Sequence, residues 1–112
     1  MTDADESLAN LSVFYQTMTT EELDHYRTAL WLAREEARRT ASSDSDLIER
    51  YCTARLACVY AVLLARGERY RIDDGRRITC LTCGLTSQNP HDVEQRYCGS
   101  CHRWHDEPEP AA

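Results

Sequence analysis

Lysine is absent from this chain, so its 13 basic residues are all arginine. A GC-rich genome accounts for that bias. A demand for planar guanidinium forks at carboxylates or phosphates is the sharper explanation. Positive charge is also in short supply, because 19 acidic residues leave a net charge of −6. A chain of that sign is poorly suited to generic nucleic-acid binding. No apolar run reaches the roughly 18 residues of a membrane span. The opening Met1-Thr-Asp-Ala-Asp-Glu6 is acidic and has neither the basic nor the apolar region of a secretory signal. These absences predict a cytoplasmic protein with no membrane partner. Its six cysteines are then expected to bind metal or fill a core rather than pair as disulfides. At 112 residues the core is modest, and a structural metal or an oligomer interface would add stability.

What is present is a pair of Cys-x-x-Cys motifs, Cys80/Cys83 and Cys98/Cys101, with residues 84–97 between them. Thiolates spaced in this way can meet at one tetrahedral zinc ion. Each motif places two sulfurs on a tight turn whose backbone N–H groups stabilise thiolate charge, and Gly84 and Gly99 are expected to supply the conformational freedom. The spacer falls one residue short of the roughly 15–20 of the zinc-ribbon pattern. Within it, Asn89-Pro-His-Asp92 reads as a cap, a first helical residue and a first-turn acid, predicting one helical turn over 90–95. A short extended segment, Arg96-Tyr-Cys98, should follow, with Tyr97 and Leu85 shielding the metal.

Other readings of the cysteines compete less well. Cys98-Gly-Ser-Cys101-His102 matches the c-type haem pattern, but haem attachment needs export and leaves Cys80 and Cys83 unexplained. Iron, mononuclear or as a cluster, is a minor alternative to zinc. A thioredoxin-like dithiol needs a βαβ pattern that is missing. His102 and His105 are alternative ligands, yet four cysteines already fill a tetrahedron, which makes the histidines surface groups or outer supports. A hydrolytic zinc needs an open position and a general base. His-Glu-x-x-His does not occur, so no enzymatic activity is expected.

Upstream, residues 1–18 read as an acidic N-terminal arm. Leu8, Leu11, Phe14, Tyr15 and Met18 recur at helical spacing, which allows a short helix; a loose terminus with docked side chains is the alternative. Residues 19–67 predict an antiparallel helical hairpin. Thr19-Thr-Glu-Glu22 is a capping box that opens a helix over about 20–39, with Leu23, Tyr26, Leu30, Ala33 and Ala37 on one face. A polar break offers Ser43 and Ser45 as caps for a second helix over about 46–66, stopped by Gly67. Leu56–Ala65 is apolar on nearly every side and must be covered on every side, which favours a homodimer through this helix. Cys52 and Cys58 are expected to be core residues.

Residues 68–105 then hold a β-hairpin and the metal module. Tyr70 and Ile72 alternate with polar residues, and Asp74-Gly75 is a strong two-residue turn signal. Arg66, Arg69, Arg71, Arg76 and Arg77 make this the basic part of the chain. They are expected to be a solvated face pairing with Glu68, Asp73 and Asp74 or, on the alternative reading, a phosphate-contacting patch. The arginines that would meet a nucleic acid or other partner are Arg71, Arg76, Arg77, Arg96 and Arg103. The tail 106–112 is acidic, contains proline and is expected to be disordered.

From Thr79 to His105 the pattern Cys-x-x-Cys-Gly-x-x-Ser-x-Asn-Pro-x-Asp … Arg-Tyr-Cys-x-x-Cys-His resembles the C-terminal part of small uncharacterised proteins of bacterial and phage genomes. The resemblance implies a zinc site at Cys80, Cys83, Cys98 and Cys101, and no activity. The expected fold is mainly α, a helical hairpin followed by a rubredoxin-like Cys₄ zinc ribbon. The expected function is that of a non-enzymatic zinc-binding regulator or adaptor acting on a protein partner, such as a phage- or mobile-element-encoded inhibitor of a host system. The alternative is a nucleic-acid-binding ribbon that uses the five arginines.

Overall fold

The computed structural model describes residues 12–40 and 43–105. The chain divides into two compact units, Met1–Leu63 and Leu64–Ala112. It is mainly helical, with a small antiparallel sheet and a C-terminal cysteine cluster. Among the described residues no helix is long and apolar enough to cross a membrane. Leu8, Leu11 and the tail 106–112 lie outside the described residues.

The first unit begins with a short helix over residues 12–16 (α1). α2 spans Thr20–Thr40, and its start is the expected capping box. The Thr19 N–H donates to Glu22 Oε1 at 2.9 Å, and the Glu22 N–H donates to Thr19 Oγ1 at 3.1 Å. Two N–H groups that the helix leaves without partners are thereby satisfied. The same bonds hold the Glu22 carboxyl below its ordinary value, the backbone N–H of Thr19 being the main cause. α3 spans Ser45–Ala65. Its first helical bond runs from Ile48 N–H to Asp44 O at 3.1 Å, so the cap falls on Asp44, between the two serines expected. Arg38 Nε donates to Glu49 Oε1 at 2.8 Å, tying the end of α2 to the start of α3.

Leu23, Leu30 and Ala37 bury one face of α2, while Ala33, expected on that face, is exposed. Arg27 takes a buried position instead, only 2% exposed, with Nε and Nη2 at 3.3 and 3.2 Å from Asp24 Oδ1. A buried guanidinium needs such a carboxylate, because desolvating a lone charge is costly. Tyr15 of α1 is buried, and its hydroxyl donates to Tyr26 Oη at 3.1 Å. Burial, then that bond, pushes the Tyr15 phenol well above its ordinary value. On α3, Cys52, Leu56, Val59, Tyr60, Val62 and Leu63 are buried. Ala57, Ala61, Leu64 and Ala65 remain exposed and Cys58 is half-buried, so the apolar stretch is covered on part of its circumference only.

Early in the second unit stands Gly67, whose φ of +91° and N–H bond to Leu64 O end the helix as glycine C-caps do. β1 (Tyr70–Asp73), β2 (Arg77–Cys80) and β3 (Thr86–Ser87) form an antiparallel sheet in that order. Asp74 and Gly75 both have positive φ, +54° and +66°, and Arg76 N–H bonds Asp73 O at 2.9 Å, as the turn signal predicts. The ladder pairs Asp73 with Arg77, however, so Arg76 is one residue more than a two-residue loop holds. That extra residue keeps Ile72 opposite Ile78, and Ile78 is buried.

α4 spans Pro90–Gln95, capped by Asn89, whose side chain accepts from His91 N–H at 2.9 Å. Ser87 Oγ donates to Asp92 Oδ2 at 2.7 Å and steadies the same turn. Arg96 is not extended as expected. It closes α4 in the left-handed region at φ 52°, ψ 51°, with its N–H on Asp92 O. β4 (Tyr97–Cys98) and β5 (Arg103–Trp104) form a separate two-stranded ribbon. Ile78, Leu81 and Val93 are the buried aliphatic residues among the described residues of this unit.

Candidate metal centre

Two turns bring the four cysteines together. Cys80 ends β2 and Cys83 lies in the turn that follows; Cys98 ends β4 and Cys101 lies in the turn before β5. The four Sγ atoms all lie within 4.8 Å of one another, with Cys80–Cys101 at 3.8 Å and Cys83–Cys98 at 3.6 Å. Four sulfurs placed at 2.3 Å around one tetrahedral ion stand roughly 3.8 Å apart. The donor set therefore fits a single ion, whereas a cluster of several ions would spread its thiolates more widely.

Backbone N–H groups point at the sulfurs. Cys101 N–H donates to Cys98 Sγ at 3.3 Å. The N–H groups of Cys83 and Thr82 favour charge on Cys80 Sγ, and that of Leu85 favours charge on Cys83 Sγ. Such bonds stabilise thiolates, the form that binds metal. Without an ion Cys80, Cys83 and Cys101 differ from one another. Burial raises Cys80, and burial with hydrogen bonds to the neighbouring sulfurs pushes Cys101 up to about 12. Burial also opposes the Cys83 thiolate, but the Leu85 N–H and the other three sulfurs outweigh it and lower its value. Cys83 is the exposed member of the set, and Cys80 and Cys98 are buried.

The two turns share one backbone device. The residue after the second cysteine of each has positive φ: Gly84 at +78° and His102 at +54°. Gly99, expected to supply this freedom, does not take a positive φ. Sequence reading missed His102 in this role because glycine is the usual marker of the left-handed region and histidine is not. The His102 side chain is exposed. His105 lies with its ring 5.1 Å from that of Tyr70, and its backbone N–H donates to Arg96 O at 2.7 Å. Neither histidine belongs to the group of ligand atoms. The Tyr97 ring packs on Trp104 at 5.1 Å, and the Leu85 side chain is exposed.

Three of the five arginines have partners close along the chain. Arg71 pairs with Glu68 at 3.1 Å and Arg77 approaches Asp73 at 4.0 Å. Arg96 Nη1 donates to the carbonyls of Glu94 and Val93 at 3.0 and 3.4 Å, serving the end of α4. Arg76 is exposed at the β1–β2 turn and Arg103 on β5. Three of the five are thus engaged within their own unit. No protein-family model, characterised protein or solved structure matches the chain.

Proposed function

We propose that this protein is a non-enzymatic adaptor in which residues 64–105 form a zinc ribbon that presents a rigid surface to a protein partner. The set of four sulfurs, spaced for one tetrahedral ion, carries this reading. Zinc held by four thiolates has no open position for water or substrate, so the ion acts as a staple. The staple matters because Ile78, Leu81 and Val93 make a very small aliphatic core. Mononuclear iron fits the same sulfurs, and absorption separates the two, since d¹⁰ zinc adds none in the visible.

Charge supports a protein partner over a nucleic acid. Between residues 64 and 105 there are seven arginines and five carboxylates. Four thiolates around a divalent cation add two negative charges and cancel that excess, which leaves little attraction for phosphates.

The test is metal content per chain, with a visible spectrum, for protein purified without added metal. One colourless zinc per chain is expected, and its loss from Cys80→Ser and from Cys98→Ser. If both variants keep full metal content, the ribbon reading fails.

A further inference from the structure

The sheet order makes β1 an edge strand, and its register tells which backbone groups face outward. Leu81 N–H donates to Arg69 O at 3.1 Å, and Arg71 lies opposite Thr79 two positions on. In an antiparallel ladder such hydrogen-bonded positions alternate with positions whose N–H and C=O point away from the partner. Tyr70 and Ile72 are the outward-pointing positions of β1. No proline or bulge interrupts the strand, so nothing in its backbone blunts this edge.

Along the edge runs an open groove of about 500 Å³, lined by Gly67, Glu68, Arg69, His105 and β1 itself. It shares those four residues with a cavity of about 300 Å³ that extends to Arg103 and Trp104. Arg69, Arg71 and Arg103 line the two together with one carboxylate, Glu68, which pairs with Arg71 at 3.1 Å, while Arg69 Nη1 donates to His105 O at 3.4 Å. Arg69 and Arg71 are two residues apart and share a face of the strand, with Tyr70 and Ile72 on the other.

We infer that the β1 edge takes an extended segment of a partner protein as an added strand, and that the segment alternates acidic with apolar residues. The added strand would bond the N–H and C=O of Tyr70 and Ile72. Its acidic side chains would meet Arg69 and Arg71, and its apolar ones would lie with Tyr70 and Ile72. The inference rests on the reading of residues 64–105 as a docking module. Edge arginines that merely repel other strands would give the opposite result.

The test is fluorescence anisotropy on the zinc-loaded full chain, with a fluorescein-labelled peptide of alternating glutamate and valine and a lysine–valine counterpart. The glutamate peptide is expected to bind, more weakly as salt rises, and the lysine peptide not to bind. Ile72→Pro removes an outward N–H and leaves the inward ladder to β2 intact, as edge prolines do. It should weaken binding about tenfold at unchanged metal content and far-ultraviolet dichroism. Arg71→Gln should weaken it severalfold and flatten the salt dependence. Equal binding of both peptides, or undiminished binding by a folded Ile72→Pro, overturns the inference. If a chain ending at His105 binds while the full chain does not, residues 106–112 are the occupant and the assignment to a partner fails. Absence of all peptide binding at one zinc per chain sinks strand addition alone, whereas absence of zinc from the native protein sinks the ribbon reading beneath it.

Discussion

Removing the metal should unfold the second unit and leave the first folded. The magnitude follows from the structure. Three aliphatic side chains, Ile78, Leu81 and Val93, are buried in residues 64–105. At roughly 1.5–3 kcal/mol each, their burial contributes about 5–9 kcal/mol. Tetrathiolate zinc contributes about 10–16 kcal/mol of apparent binding energy, which is at the same time folding energy. A zinc ion held there would therefore be the largest single stabilising term in this unit. Among its described residues the first unit buries ten apolar side chains from Tyr15 to Leu63, and none of these residues belongs to the cysteine cluster. Amide hydrogen exchange followed by NMR, before and after a strong chelator, separates the two. Protection at Ile78, Thr79 and Leu81 should vanish with the metal, while protection at Leu30, Leu56 and Val59 persists. Shared evenly, each ligand is worth about 2.5–4 kcal/mol, so Cys98→Ser should weaken zinc about 10²–10³-fold. If the β2 amides stay protected in metal-free protein, the reasoning is wrong, and the small core suffices without a staple.

Other expectations follow from single contacts. Gly84→Ala forces a β-carbon into φ +78° and should cost about 1–2 kcal/mol, or about tenfold in zinc affinity by competition titration. His102→Gly, at the matching position, should leave zinc affinity unchanged or tighten it by up to about fivefold, worth about 1 kcal/mol; a marked loss would instead make the imidazole a ligand. Asp24→Ala removes one carboxylate from the buried Arg27 guanidinium and should lower stability by about 2 kcal/mol in urea titrations of the first unit. The Glu22 carboxyl is held below its ordinary value by bonds present only in the folded helix. The start of α2 is thus favoured above the unfolded carboxylate value, and that gain is lost as pH falls through the folded one. Helicity should show a small acid step in the native protein that is missing in Glu22→Gln.

Local chemistry in the sequence settles a good deal of this protein. Thr19 and Glu22 fix the start of α2, and Asn89 with Pro90 fixes that of α4, because a cap needs only residues within reach along the chain. Gly67 ends α3, and Asp74-Gly75 turns the hairpin, for the same local reason. The two Cys-x-x-Cys motifs announce four ligands, since thiolates at that spacing share one turn. Contacts between distant residues had to be decided by the tertiary structure. Arg27 is buried because Asp24 and the surrounding side chains together make a site for a charge, and helical periodicity alone assigns that inward position to nobody charged. Arg71, Arg77 and Arg96 look like a basic patch when counted along the chain, yet the fold gives each a partner nearby. His102 takes the left-handed φ because the cysteine on its N-terminal side must turn its sulfur toward a centre shared with Cys80 and Cys83. The open edge of β1 was likewise invisible, because an edge is defined by the strand that fails to pair beside it.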